Sequence, residues 1–304
     1  MTFVDRNSGI AASIFLVLYV IYLSLTIKIV SEKGFRSIYT SLLVYGVFRV
    51  CGQMCGVVFS ALGYEHWQWL IAYLVFSAEG YFVLVLCSFH LIANAQLYQF
   101  GQSWFRPSKE QKKQNLARAT TIREKLRARF PLASVFHILL IPANALVISG
   151  GSTLAGQDPS NPDPNKIITA KALRTTGQVM FLSLTLIAIL LAIYVYYKEG
   201  VRHCNIYSIF IVAPFITIRG IFGVISIFIT KMNYYDMSNY TANGLSAQFV
   251  TYEYVLATTM EFITACVYVG NYFIDRQRQT IPVSNEFDDV FEDKLPSKVD
   301  QDSV

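Results

Sequence analysis

Four charged side chains lie within stretches of sequence that are otherwise apolar: Arg49, Glu79, Arg219 and Glu261. A charge at the centre of a bilayer costs about 2.5–3.5 kcal/mol on insertion scales, so it is rarely retained without a partner or a function. Their positions predict two pairs, Arg49 with Glu79 and Arg219 with Glu261. A guanidinium group binds carboxylates and phosphates, whereas a carboxylate balances charge or carries protons. These four residues form the candidate substrate-binding site.

Two interpretations of the predicted pairs stay open. In the first, each pair is a buried salt bridge that fixes the register of two helices. In the second, the pairs line a polar, partly hydrated cavity, where Arg49 and Arg219 bind an anionic headgroup or a carboxylate. Both interpretations can hold at once.

Patterns for catalysis and cofactor binding are sparse. The four histidines, His66, His90, His137 and His203, lie on different segments, and no two have the i, i+4 spacing of a helical metal site. A serine elbow, a phosphate loop and a nucleotide-binding fingerprint are all missing from the sequence. We therefore predict no catalytic residue, no metal site and no cofactor. The sequence does not favour an enzyme.

The composition is that of a multi-pass membrane protein. The chain has 304 residues, of which 54% are hydrophobic and 15% charged, whereas a soluble domain carries about 25% charged residues. Seven segments are long and apolar enough to span a bilayer. We predict an all-α integral membrane protein with a seven-helix domain over residues 1–280. Its spans lie near residues 10–30, 38–62, 69–98, 132–150, 173–197, 205–230 and 248–274.

The distribution of basic residues predicts the orientation of these spans. Sixteen Lys and Arg residues lie in the connections on one side: three after the first span, nine between residues 106 and 129, two after the fifth span and two after the seventh. The opposite side carries only five. Because cytosolic loops are enriched in basic residues, the N-terminus is predicted to be outside and the C-terminus cytosolic.

The two halves of the chain share a weak pattern. Arg49 and Arg219 each lie in a helix predicted to run outward, and each is followed within four residues by a glycine, Gly52 or Gly223. The next helix carries Glu79 or Glu261. This suggests a parallel repeat in a 3+1+3 arrangement, with the fourth span as the linker. Small residues spaced for close helix packing accompany both arginines: Gly52, Gly56, Gly220 and Gly223.

Two polar segments lie outside the predicted spans, one between the third and fourth spans and one after the seventh. The loop 101–131 is basic, and its apolar residues fall at helical spacing after a capping-box pair, Ser108 and Gln111. We predict one amphipathic helix there, lying on anionic lipid of the inner leaflet; docking of a cytosolic protein is the alternative. The segment 281–304 is acidic and is predicted to be a disordered cytosolic tail. Binding of a cytosolic partner to this tail is a further hypothesis. Nucleic-acid binding is not expected.

One processing signal lies on the predicted outer side. Asn239, Tyr240 and Thr241 form an N-glycosylation sequon, which makes Asn239 a candidate glycosylation site. Such triplets also occur by chance. The predicted location is the plasma membrane or an endomembrane.

Three stretches resemble a known group of proteins: residues 44–52 (VYGVFRVCG), 218–224 (IRGIFGV) and 260–263 (MEFI). They resemble an uncharacterised family of fungal seven-helix membrane proteins. The overall layout is distantly similar to that of the fungal RTA-like lipid-translocating exporters, which are also seven-helix proteins. The resemblance implies a fungal membrane protein with a role in transport.

The leading functional hypothesis is a transporter or translocator of an amphipathic or anionic small molecule or lipid. A seven-helix receptor or sensor shares the same predicted layout and is the first alternative. An intramembrane enzyme that modifies lipids is the second.

Overall fold

The computed structural model describes residues 3–35, 37–107, 109–154, 163–241 and 244–280, and these are mostly helical. The predicted tail 281–304 and the predicted capping residue Ser108 lie outside the described residues.

Six helices in the described part of the chain are long and apolar enough to cross a membrane. They are α1 (Arg6–Lys33), α2 (Tyr39–Leu62), α3 (Gln68–Phe100), α6 (Leu132–Leu154), α7 (Pro164–Lys198) and α8 (Cys204–Phe228). Their outer surfaces carry exposed apolar side chains, such as Val17 and Ile21 on α1 and Leu190 on α7. Large exposed apolar surface is unfavourable in water but suits contact with lipid. The class predicted from composition, a helical membrane-embedded protein, agrees with this architecture.

The segment predicted as a seventh span is helical in three pieces. An α-helix (α9, Ala247–Glu253) leads into a π-helix (Tyr254–Thr259), which continues as α10 (Met260–Thr280). Of the two glutamates on this segment, Glu253 ends α9 and Glu261 lies in the first turn of α10. The π-helix therefore separates two carboxylates that both belong to the site described below.

Helix α3 lies at the centre of the bundle. It contacts α2, α6, α7, α8 and α10, while α1 packs mainly on α2 and α6 mainly on α7. This position explains why more than half of the residues in the apolar stretch of α3 are buried within the protein. In α1 the buried share is about a fifth. Side chains on α3 are consequently the ones that several helices share.

The end of the bundle near the N-terminus is covered by a closing segment, of which residues 229–241 and 244–246 are described. Within it, a short strand β1 (Tyr240–Thr241) pairs antiparallel with β2 (Gly244–Leu245). Asp5 joins this hairpin to α1: it caps the helix by accepting from Ser8 N at 3.1 Å, and it accepts from Leu245 N at 2.8 Å. Burial raises the pKa of Asp5. A single carboxylate thus fixes the start of α1 against the hairpin.

The opposite end carries two short helices, α4 (Lys109–Arg118) and α5 (Ile122–Arg129). The prediction of one amphipathic helix over this loop was therefore wrong. The break falls at Thr121, which with Glu124 has the T-x-x-E spacing of a capping box. Glu124 Oε2 accepts from the backbone N–H of Thr121 at 3.2 Å and of Thr120 at 3.0 Å, and these bonds lower the pKa of Glu124 to about 2. The new cap starts a second helix and ends the first.

Candidate functional site

Two arginines converge on one carboxylate in the centre of the bundle. Arg49 Nη2 on α2 forms an ion pair with Glu261 Oε2 on α10, and Arg219 Nε on α8 lies 2.5 Å from Glu261 Oε1. The three side chains are 2%, 7% and 1% exposed. A carboxylate that faces two guanidinium groups leaves a formal charge of +1 in a region shielded from water.

The predicted pair of Arg49 with Glu79 is wrong. Glu79 is half-buried, and its Oε1 accepts from Asn144 Nδ2 on α6 at 2.6 Å. Arg49 Nη1 instead donates to Ser77 Oγ on α3 at 3.1 Å. Residues two apart on a helix point to different sides, so Ser77 faces α2 whereas Glu79 faces α6. The pair of Arg219 with Glu261 is present, but Arg49 shares its carboxylate.

A glycine on α3 makes room for Arg49. Gly80 lies one turn after Ser77 and so shares its face of the helix. A Cβ at Gly80 would stand 2.6 Å from Arg49 Nε and 3.1 Å from its Cζ. Because real Cβ atoms do not approach that closely, any larger residue at position 80 would displace the guanidinium group.

Arg219 lies against Tyr81 of α3, which in turn bonds to α7. Its Cζ lies 4.7 Å from the centre of the Tyr81 ring, within range of a cation–π interaction. The Tyr81 hydroxyl hydrogen-bonds to Thr185 Oγ1 on α7 at 3.0 Å. A Cβ at Gly220 would approach that hydroxyl to 2.8 Å, and one at Gly223 would approach Arg219 Nη1 to 3.2 Å. These two glycines therefore permit close packing around the arginine.

The other two predicted packing glycines lie at the contacts of α2. A Cβ at Gly52 would stand 3.2 Å from Phe76 Cβ, and one at Gly56 would stand 3.4 Å from the Tyr73 ring and 3.5 Å from Ala12 Cβ. Both positions thus bring α2 close to α3, and Gly56 also brings it close to α1.

A cavity of about 100 Å³ reaches Arg219 from the end of the bundle near the N-terminus. Its walls come from α3, α6, α7, α8, residues 232–235 and the end of α9. Its polar lining comprises Ser77, Ser152, Arg174, Gln178, Arg219, Ser226, Tyr234, Tyr235 and Glu253. The volume is that of about three water molecules at liquid density, so it suits a carboxylate or phosphate headgroup rather than a whole lipid.

Two of the lining residues suggest a ligand with both charge and hydrogen-bonding groups. Arg174 on α7 lies over the Tyr235 ring, with 4.5 Å from its Cζ to the ring centre, and it donates to Asn233 Oδ1 at 3.3 Å. Gln178 Oε1 is buried and has no hydrogen-bond partner among the described residues. Arg174 and Gln178 are four apart and so share one face of α7. Arg174 and Arg219 against Glu253 give the cavity a formal charge of +1.

Comparisons with family models, with curated proteins and with solved structures found no match to this chain.

Of the polar residues that line the cavity, only Arg219 was predicted to belong to the site; Arg174, Gln178 and Glu253 are among those that were missed. Arg174 lies ten residues after the start of α7 at Pro164. Glu253 is 5% exposed and accepts from the Tyr73 hydroxyl at 3.4 Å. The spacing of Arg174 and Gln178 on one helical face was the available signal, since both lie within the predicted span 173–197.

The π-helix brings Glu253 and Glu261 onto one face of their helix. Eight residues of regular α-helix turn through about 800°, which leaves two side chains about 80° apart. A π-turn accommodates one extra residue, so the two glutamates stand as if seven apart, about 20° from alignment. π-turns are frequent at functional sites. Here the irregular turn lets one helix present a carboxylate to the arginine cluster and another to the cavity.

The candidate glycosylation site, Asn239, lies in the closing segment. Asn239 is 5% exposed, and its Nδ2 donates to the carbonyls of Thr230 at 2.5 Å and Asn233 at 2.8 Å. In this conformation the amide that would carry the sugar holds the segment together. Glycosylation of Asn239 stays a prediction, and it requires attachment before the segment folds.

Proposed function

We propose that this chain is a seven-span membrane transporter that binds the anionic head of an amphipathic molecule at Arg219 and moves it across the bilayer. The observation that carries the proposal is the cavity that ends on Arg219, a residue whose partner Glu261 is shared with Arg49. A small anionic lipid fits this description because the head occupies the cavity and the chain remains among apolar helix surfaces.

The charge arrangement supports binding of an anion. A guanidinium group has five N–H donors in a planar fork that matches carboxylate and phosphate. Among the described residues, the Nε of Arg219 is the group that donates to Glu261. Arg219 also lines the cavity, where Arg174 and the tyrosines of residues 234–235 supply further polar groups.

The proposed topology treats the segment 247–280 as the seventh span. It is helical without interruption from Ala247 to Thr280, which at about 1.5 Å per residue exceeds the thickness of a bilayer core. An odd number of spans puts the two termini on opposite sides of the membrane. The distribution of Lys and Arg favours an outer N-terminus, with the basic helices α4 and α5 in the cytosol. The cavity then opens toward the outer side.

Translocation can be measured in proteoliposomes that contain phosphatidic acid with a fluorescent NBD label on one acyl chain. Dithionite bleaches the label in the outer leaflet alone, so bleaching beyond about half of the signal reports transfer between leaflets. With the wild-type protein we expect dithionite to bleach more than half of the fluorescence. With Arg219→Gln we expect it to bleach about half. Lys231→Gln removes an exposed cation outside the cavity and should behave like the wild type.

Matched measurements separate this proposal from its alternatives. Labelled phosphatidylcholine, whose head carries no net charge, should transfer more slowly than phosphatidic acid. Equal transfer in the wild type, in Arg219→Gln and in protein-free vesicles would contradict transport. Binding of the labelled phosphatidic acid in detergent without any transfer would favour the receptor alternative.

A further inference from the structure

Three metal-ligating side chains meet at the end of the bundle opposite the cavity. His203 and Cys204 lie at the start of α8, and Asp275 lies near the end of α10. One ligand atom from each of the three lies within 4.8 Å of the others. About seventy residues separate His203 and Cys204 from Asp275 in the sequence. Closely spaced ligands in the sequence therefore could not reveal this metal-ligating cluster.

One distance within this group matches that around a tetrahedral zinc ion, and a second is shorter. With Zn–N of about 2.05 Å and Zn–S of about 2.3 Å, a tetrahedral angle puts nitrogen and sulfur about 3.5 Å apart. His203 Nδ1 lies 3.5 Å from Cys204 Sγ. Cys204 Sγ lies 2.9 Å from Asp275 Oδ1, so that pair would need to open by about half an ångström.

The charges of the three ligands suit a divalent cation. Cys204 is the first residue of α8, and the N-terminus of a helix favours a thiolate. A thiolate beside the Asp275 carboxylate requires a proton or a cation between them. A zinc-class dication bound by one thiolate, one carboxylate and one neutral imidazole carries no net charge.

A cavity gives the cluster an entry path. It has a volume of about 370 Å³, and Asp275, Asn205 and Tyr98 are among its walls. The Tyr98 ring lies 4.9 Å from the His203 ring. Cys204 is buried, whereas His203 and Asp275 are partly exposed. A fourth ligand, such as water, can reach the ion from this cavity.

We propose that His203, Cys204 and Asp275 bind one zinc-class divalent cation, which ties the start of α8 to the end of α10. In the structure His203 Nδ1 accepts from Asn205 N at 3.2 Å and so caps α8. Metal binding at Nδ1 replaces this cap. The site is independent of the proposed anion cavity, which lies at the other end of the bundle.

The test uses the full-length protein, purified in detergent and stripped of metal with a chelator. Zinc is then added, the excess is removed by gel filtration, and bound metal is measured by mass spectrometry. We expect about one zinc per chain, with an affinity that falls by about 100-fold or more in Cys204→Ser and Asp275→Asn. Cobalt in place of zinc should give the near-ultraviolet absorption of a cobalt–thiolate bond.

Two variants keep the test independent of folding. His203→Asn retains a good helix cap but removes the imidazole, so this protein should stay monodisperse on gel filtration and lose zinc. Cys266→Ser changes an exposed cysteine elsewhere on α10 and should keep zinc. Wild-type protein that retains less than about one zinc in ten chains, or equal retention in wild type and Cys204→Ser, would overturn the proposal.

Discussion

Glu261 faces two guanidinium groups in the centre of the bundle, and this sharing makes it the residue on which the cluster depends. Its loss leaves Arg49 and Arg219 buried beside each other without a carboxylate. Removal of one partner from a buried ion pair destabilises a protein by about 3–5 kcal/mol. We expect Glu261→Leu to lower the free energy of unfolding by that amount, measured by denaturant titration in micelles.

Glu79 provides the matched comparison. It is half-buried, and its carboxylate accepts one hydrogen bond from Asn144. Glu79→Gln keeps an acceptor and should cost less than about 1.5 kcal/mol. Equal losses in Glu79→Gln and Glu261→Leu would show that the cluster of Arg49, Arg219 and Glu261 does not hold the bundle together.

A triple substitution separates the structural and functional interpretations of the cluster. Buried ion pairs replaced by apolar residues of similar volume often leave stability unchanged or raise it. We therefore expect Arg49→Met, Arg219→Met and Glu261→Leu in one chain to recover most of the stability lost in Glu261→Leu. The same chain should not transfer labelled phosphatidic acid. Transfer at the wild-type rate would show that these charges serve stability alone.

Gly80 tests how tightly α3 holds Arg49. Gly80→Ala puts a Cβ 2.6 Å from Arg49 Nε, so the guanidinium group must move away from Ser77 and Glu261. We expect lower thermal stability and weaker binding of the labelled phosphatidic acid. Gly270→Ala on α10 meets no atom within 4 Å, and the higher helix propensity of alanine should raise stability by about 0.5–1 kcal/mol. Destabilisation by both variants to the same degree would contradict this role of Gly80.

The charged residues of the site were predictable, but their partners were not. The cost of charge in a bilayer singled out Arg49, Arg219 and Glu261 from the sequence. Which carboxylate meets which arginine depends on how each helix is rotated about its own axis. That rotation places Ser77 rather than Glu79 against Arg49, and an apolar sequence with little periodicity does not specify it.

At the scale of the helix, the π-turn between Glu253 and Glu261 is testable by deletion. Deletion of Val255, which is 47% exposed, should convert the π-turn to regular α-helix and leave the two glutamates seven apart, still aligned. We expect this variant to fold and to bind labelled phosphatidic acid. Binding is measured by the change in fluorescence in detergent.

Deletion of Ile211 is the control for Val255. Ile211 is also exposed, but it lies in the regular α-helix α8. Its deletion turns the residues on one side of the gap by about 100° relative to those on the other. That should misplace either Arg219 or the start of α8 and abolish folding. If both deletions have the same effect, the π-turn does not absorb the missing residue.

The elements themselves were largely predictable, and the irregular ones were not. Six apolar helices follow directly from the length and composition of their segments. The break between α4 and α5 could have been read from Thr121 and Glu124, which have capping-box spacing. The π-turn left no comparable signal, because residues 254–259 contain no capping or turn motif that would mark it.

At the scale of the whole molecule, the distribution of basic residues predicts which end of the bundle is outside. Ser238 lies at the end of the bundle near the N-terminus, and Asn115 lies on α4 at the opposite end; both are exposed. We expect Ser238→Cys to react with a membrane-impermeant maleimide on intact cells or sealed right-side-out vesicles. Asn115→Cys should react only after the membrane is permeabilised. Both variants are made in a chain whose five native cysteines are replaced by serine or alanine.

The opposite labelling pattern would place the cavity toward the cytosol and reverse the direction from which an anion reaches Arg219. Labelling of both positions in intact cells would mean that the two ends lie on the same side, which excludes a bundle that spans the membrane.

The labelling outcome also decides the source of the proposed metal. His203, Cys204 and Asp275 lie at the same end as Asn115, because residues of the loop before α6 contact the turn between α7 and α8 through Trp104 and Glu199. If Asn115 is cytosolic, the zinc-class cation must come from the cytosol, while the anionic lipid enters from the outer leaflet.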